Sequence, residues 1–153
     1  MIMINDVSRA FFETPMKRMV FVELPLEALE EGDTDVVGLL QMSLYGTRDA
    51  AVNFQEEVGR YMRQIGFQQG RYNPCTYYHT KRGLRTMVHG DDFVTSGSRD
   101  EAKWLKEKLA GRFEIKTKVI GSGAGEVTEG RVLNRIIRVG SRGWQYEPDQ
   151  RHA

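Results

Sequence analysis

The 153 residues contain one cysteine, Cys75. No intrachain disulfide can form, and a zinc site would need other ligands. No apolar run reaches the length of a membrane span, and no signal-peptide layout is present. The chain therefore reads as soluble and intracellular, not secreted. Its apolar start, Met1-Ile2-Met3-Ile4, is too short for a signal core and reads as a strand with no leader before it. An excess of one charge is also missing, with a formal net charge of +1 at pH 7. Nucleic acid is neither implied nor excluded, because a neutral total can hide a local basic surface. No internal repeat is evident, and the length fits one domain.

What is present has the patterning of a mixed fold. Residues 1–7 form an apolar, β-prone run suited to a central strand. Residues 18–23 form a second β-like run ended by Pro25, and the acidic residues 27–35 read as a solvated turn or short helix. A helix is predicted over residues 49–65, where Phe54, Val58, Tyr61, Met62 and Ile65 make one apolar stripe and Gly66 supplies the stop. Ser98-Arg99-Asp100-Glu101 is a capping box that opens a second helix. Ala102, Leu105 and Leu109 share one face of it, and Gly111 breaks it.

Residues 113–119 alternate apolar and polar as a half-exposed strand does. Gly121-Ser-Gly-Ala-Gly125 is glycine-rich but lacks the following helix and the Lys-Ser/Thr pair of a phosphate loop, so it reads as a flexible connection. Residues 131–139 read as one further strand, and Gly140 to Gly143 as a turn into Trp144-Gln-Tyr-Glu. Arg131, Arg135, Arg138 and Arg142 fall on both parities, as solubilising charge does. The order implies an α+β sandwich with helices on one face of an antiparallel sheet.

The chemically informative segment is Leu84-Arg-Thr-Met-Val-His-Gly-Asp-Asp-Phe-Val-Thr-Ser-Gly97. Two β-prone runs flank His89-Gly90-Asp91-Asp92, which places adjacent carboxylates at a hairpin tip. Such a pair is unfavourable without a proton or cation, and magnesium is the natural compensator. Taken alone, the pair is equally an exposed turn, since Asp suits turn geometry. A third carboxylate, Asp6, closes the first apolar strand. If that strand lies beside the hairpin, Asp6, Asp91 and Asp92 could hold two metals about 4 Å apart and serve phosphoryl transfer.

Asp6-Val-Ser-Arg-Ala-Phe-Phe12 resembles the Asp-Val-x-x-Ala-Phe-Leu motif of copia-type retrotransposon reverse transcriptases. Leu44-Tyr-Gly-Thr-Arg48 resembles their Leu-Tyr-Gly-Leu-Lys segment, with Phe54 at a Trp-like position in the helix that follows. Gly66-Phe67 and Asn73-Pro-Cys-Thr-Tyr-Tyr78 are similar to their Gly-Phe and Asp-Pro-Ser-Leu-Phe stretches. Val88-His-Gly-Asp-Asp-Phe93 is similar to Val-Tyr-Val-Asp-Asp-Ile, and the expected Thr-Ser-Gly-Ser follows. These segments keep family order and spacing over nearly the whole chain.

The resemblance implies a polymerase palm lacking fingers and thumb, one partial domain over residues 1–153, and RNA-directed DNA synthesis by two-metal nucleotidyl transfer. It implies Asp6, Asp91 and Asp92 as ligands of two Mg²⁺ (or Mn²⁺) ions, with the Val7 carbonyl as helper. Phe11 falls at the aromatic gate against a ribose 2′-hydroxyl, or is an ordinary core phenylalanine. His89 stands where the family has Tyr and could stack or hydrogen-bond near a primer, or be an exposed turn residue. Gly90 replaces an apolar residue. Asp49 replaces a Gln that contacts template or nucleotide, and its charge would oppose a triphosphate. Ala51 replaces a proline.

The implied partners are an RNA or DNA template with primer, deoxynucleoside triphosphates and the remainder of a Pol polyprotein, with no membrane. The implied location is cytoplasmic, in a virus-like particle, or nuclear. The chain starts at the first catalytic motif, and residues 149–153 fall near the passage from primer-gripping region to thumb. Protease, integrase and ribonuclease H modules are not visible in the sequence. Two other readings stay open: an inactive relic or nucleic-acid-binding remnant of the same fold, and a metal-dependent nuclease using the same carboxylates.

Overall fold

The computed structural model describes residues 1–148, so the segment expected near the thumb, residues 149–153, lies outside the described residues. Contacts divide the chain into two compact units, Met1–Ser8 with the chain from Tyr61 onward, and Arg9–Arg60. The division falls inside α1 (Ala50–Gln64).

The first unit is built on a six-stranded antiparallel sheet. Its strands are β1 (Ile2–Val7), β4 (Gln68–Gln69), β5 (Thr76–His79), β6 (Leu84–His89), β7 (Asp92–Ser96) and β8 (Ile115–Ile120), in the order β4-β5-β6-β7-β1-β8. The apolar run of β1 is explained by this place: it is paired on both sides, and Met3, Asn5 and Val7 are buried on one face. That face also carries Tyr77, His79, Leu84, Thr86, Val88, Phe93 and Thr95, all buried. The helix α2 (Arg99–Ala110) contributes its buried Ala102, Leu105 and Leu109, and Trp104 meets His79 edge to face. Its N-terminus is capped as the sequence predicts, with the Ser98 hydroxyl accepting from the Glu101 N–H. The last turn of α1 joins this unit through buried Met62 and through Tyr61, whose hydroxyl donates to the Lys108 carbonyl at 2.5 Å and whose ring meets Phe113.

A three-stranded sheet follows, β9 (Glu129–Val132), β10 (Arg135–Gly140) and β11 (Gly143–Glu147), in the order β11-β10-β9. The single strand expected over residues 131–139 is thus a hairpin. Leu133 and Asn134 turn it, with φ of 47° and 63°. Asn tolerates that region but Leu does not, so Leu-Asn carries no turn signal. Arg138 bridges Glu129 and Glu147, and Arg135 bonds the Tyr146 hydroxyl, so these two arginines hold strands together. The glycine-rich loop is tied down: the Glu126 carboxylate accepts from the Gly123 N–H at 2.7 Å and pairs with Arg99. An internal carboxylate therefore occupies the donors that a phosphate would need.

In the second unit, β2 (Phe21–Glu23) and β3 (Val37–Leu39) form a two-stranded ribbon. β2 is shorter than the run expected over residues 18–23. The acidic stretch holds one 3₁₀ turn, Leu26–Ala28, and is otherwise irregular and mostly exposed. Phe11 and Phe12 lie in a 3₁₀ turn, Ala10–Glu13, and both rings pack on Tyr45. In α1, Phe54 and Val58 are buried as the stripe predicts, while Tyr61 is half-buried and Ile65 falls just past the helix. Among the described residues no helix is long and apolar enough to cross a membrane.

The strained β9–β10 turn gives a test. Replacing Leu133-Asn134 by Asn-Gly, the pair preferred where both central residues need positive φ, should stabilise the protein by about 1–2 kcal/mol in urea unfolding. An unchanged or lower midpoint would place the strain elsewhere.

Candidate active site

The two catalytic candidates farthest apart in sequence meet through strand register. In the β1–β7 ladder Asp6 stands opposite Asp92. The Val7 N–H donates to the Asp91 carbonyl at 3.0 Å, which makes Val7 and Asp91 the hydrogen-bonded pair of that ladder. Asp6 and Asp92 are then a non-hydrogen-bonded pair, the closer kind, with Cα atoms about 4.5 Å apart. In an antiparallel ladder a residue's N–H and C=O leave the same edge, so the Val7 carbonyl also faces the hairpin side.

Register extends the row. Asp92 is opposite His89 across β6, and Asp6 is opposite Lys116 across β8. His89, Asp92, Asp6 and Lys116 therefore lie side by side on the sheet face away from α2. Lys116 was missed in the sequence, although the alternation of β8 alone identifies it as an outward residue. Met87, Val94, Ile4 and Lys118 form the next row. A groove of about 520 Å³ opens on this face, lined in part by Ile2, Met87, Val94, Tyr78 and Arg85.

Gly90 and Asp91 form the two-residue hairpin turn. Gly90 has φ 60° and Asp91 is not among the residues of positive φ, the pattern of a type II′ turn with glycine first. An added Cβ at Gly90 would meet nothing within 4 Å, so the backbone, not crowding, demands glycine.

The electrostatics match the crowding. Burial pushes the Asp92 carboxyl above its ordinary range, and the charges of Asp91 and Asp6 push it further, while His89 pulls it back. Among the described residues no three His, Cys, Asp or Glu side chains gather closely enough to hold a metal ion. The register thus brings Asp6 and Asp92 onto one face beside Asp91, without drawing three carboxylates to a common point. Beneath them Asn5 is fully buried; its Oδ1 accepts from the Thr117 hydroxyl at 2.8 Å, and its Nδ2 has no partner.

A model of one protein family, described as reverse transcriptase (RNA-dependent DNA polymerase), matches residues 1–122. The chain belongs to the reverse transcriptase family. The match takes in both aspartate-bearing segments and runs past the end of β8, so the whole six-stranded sheet lies within it.

Two candidates lie in the other unit. Phe11 is half-buried, with its ring 4.4 Å from that of Tyr45 and 6.2 Å from that of Phe54. Asp49 accepts two bonds from Arg18 Nε, at 2.8 and 3.0 Å, and one from Nη2 at 2.8 Å. This pairing holds the Asp49 carboxyl below its ordinary range. The bare negative charge expected at that position is compensated by a partner 31 residues away in sequence.

Asp92 makes stability depend on pH. At pH below the ordinary Asp value of about 3.9, folded and unfolded states both hold the proton and no penalty exists. As pH rises, the unfolded chain releases its proton first, so stability falls until the raised folded value is passed. Asp92→Asn should therefore raise the melting temperature near pH 7 in chelator-treated buffer, and the gain should vanish below about pH 3.9. A gain independent of pH would exclude charge as its source. Separately, Gly90→Val should cost about 1–2 kcal/mol in chemical unfolding through its positive φ.

Proposed function

We propose that the chain is the palm of a copia-type retrotransposon reverse transcriptase and carries the carboxylates of an RNA-directed DNA polymerase. The observation that carries this reading is the cross-strand pairing of Asp6 with Asp92, at the tip that also holds Asp91, in a member of the reverse transcriptase family. The raised Asp92 carboxyl fits a site whose repulsion a divalent cation would relieve. Asp6, Asp91, Asp92 and the Val7 carbonyl would hold two Mg²⁺ or Mn²⁺ ions, which when bound supply activation of a primer hydroxyl and charge stabilisation at the phosphorus.

The residues of the chain then have distinct tasks. Asp6 and Asp92 present oxygens from neighbouring strands of one rigid sheet, which fixes their spacing better than a loop would. Gly90 sets the turn that delivers Asp91. His89, next to Asp92 on the open face, is placed for a primer strand crossing that face, and Lys116 adds a cation on the other side of Asp6. The gate role of Phe11 and the template-side role of Asp49 rest on the family resemblance. Template and primer, deoxynucleoside triphosphates and the rest of a Pol polyprotein are the partners of this reading, within a virus-like particle or the nucleus.

Metal ligands alone supply part of such a reaction; alignment of primer and triphosphate supplies much of the rest, and a misplacement of about 1 Å can cost a hundredfold. The test is primer extension on an RNA template with Mg²⁺ or Mn²⁺. It compares the chain alone, the chain joined to fingers and thumb of a copia-type enzyme, and the joined form carrying Asp91→Asn/Asp92→Asn. Extension is expected from the joined form, weak or none from the chain alone, and none from the double variant. A joined form that stays inactive would replace this reading with an inactive remnant of the fold.

A further inference from the structure

A second cavity lies at the end of the six-stranded sheet away from the aspartates. It has a volume of about 890 Å³, and its walls include His79, Lys81, Arg82, Glu101, Trp104 and Lys108. The first three come from the end of β5 and the turn after it, and the others from α2. β6 runs from this turn to His89 over six residues, roughly 17 Å of strand at about 3.3 Å per step. His79 also lies on the buried face of the sheet, opposite to the face of Asp92. The cavity is separate from the carboxylate site in both position and face.

Its chemistry is one-sided. Glu101 is the single acidic residue of the lining, against three permanent cations. Arg82 is held in a fixed plane, with its guanidinium carbon 3.9 Å from the ring centroid of Trp104 and its Nη1 donating to Glu101. Among the described residues its other guanidinium N–H groups have no acceptor, and neither Lys81 nor Lys108 has a carboxylate partner. Trp104 is itself braced by His79, at 5.4 Å, and His79 by Phe67, at 5.1 Å. A Cβ on Gly66 would come within 2.9 Å of the His79 Nε2, so glycine is what lets the ring seat there. His79 is 8% exposed, and its buried Nδ1 has no hydrogen-bond partner. A ring with an unpartnered buried nitrogen is thus retained beneath a stacked arginine, a cost that folds ordinarily avoid.

We propose that this cavity is an anion site, separate from the carboxylate row, which takes a phosphate group between Lys81, Lys108 and the guanidinium of Arg82. A stacked, pre-oriented planar guanidinium with unused donors can bond two oxygens of a tetrahedral phosphate at once, and flanking lysines add charge without fixing direction. The phosphate can belong to a nucleic-acid backbone or to a small phosphorylated compound, and the lining chemistry serves both. The site does not depend on the polymerase reading, because none of its residues belongs to the carboxylate row.

The test uses the full chain with Trp144→Phe, which leaves Trp104 as the sole tryptophan. In EDTA-containing buffer, Trp104 emission is followed against inorganic pyrophosphate and against a short single-stranded DNA oligonucleotide. Saturable binding is expected, and Lys81→Glu/Lys108→Glu should weaken it at least tenfold. For the oligonucleotide, Lys81→Gln/Lys108→Gln should lower the slope of log affinity against log salt by about 1.4, two phosphate contacts at ~0.7 each. Lysine-dependent binding of both probes, tighter for the oligonucleotide, identifies a nucleic-acid backbone; lysine-dependent binding of pyrophosphate alone identifies a small phosphate compound. Binding that ignores both lysine variants, or no binding of either probe, overturns the proposal.

Discussion

The antiparallel pairing of β1 with β7 on one side and β8 on the other is the constraint on which the site depends. Because side chains alternate along a strand, one register places Asp6 beside Asp92 on the open face and Met3, Asn5 and Val7 in the core. A slip of one residue would bury Asp6 and expose the core set, so the apolar side of β1 enforces the position of its acid. The hydrogen-bonded Val7–Asp91 pair closes the ladder at the tip. Packing thus holds together charges that repel each other, and the Asp92 carboxyl is raised first by its burial and then by the charges of Asp91 and Asp6.

Several charges elsewhere are handled in the opposite way. Asp49 is matched by Arg18, Glu126 by Arg99, and Arg138 by two glutamates from the strands beside it. These pairs are exposed to varying degrees, and such pairs contribute little stability each. They do leave each carboxylate with a geometric partner. The Asp6–Asp91–Asp92 group has like charges as its neighbours, with His89 and Lys116 at the ends of the row. That contrast sets the carboxylate row apart from the paired charges of the surface.

Much of this was legible in the residues. β1, the His89–Asp92 hairpin and α2 announced themselves because each rests on a local rule: an apolar run, a turn between β-prone segments, a capping box. The stripe of α1 was right in phase at Phe54, Val58 and Met62, and ran one residue too far at Ile65. What escaped lacked a local signal. Leu133-Asn134 turns a hairpin against its own propensities, β4 has two residues, and β3 has three around a glycine. The Asp49–Arg18 pair joins residues far apart in sequence, so the charge on Asp49 read as bare. The pairing of Asp6 with Asp92 could be anticipated only as a condition, that the first strand lie beside the hairpin.

The position of β1 between β7 and β8 also bears on how the protein comes into being. Ile2 pairs with Ser96 and with Ile120, so both ladders of this strand close loops of many tens of residues. The β6–β7 hairpin closes across two residues, and such local contacts form in microseconds, ahead of long-range pairings whose closure entropy is larger. On a ribosome, Asp91 and Asp92 reach their turn soon after synthesis, whereas β1 waits unpaired until β7 and then β8 have emerged. Assembly of the acidic site and completion of the core are therefore one late event, and a nascent chain interrupted before β8 presents an open, apolar strand edge to its surroundings.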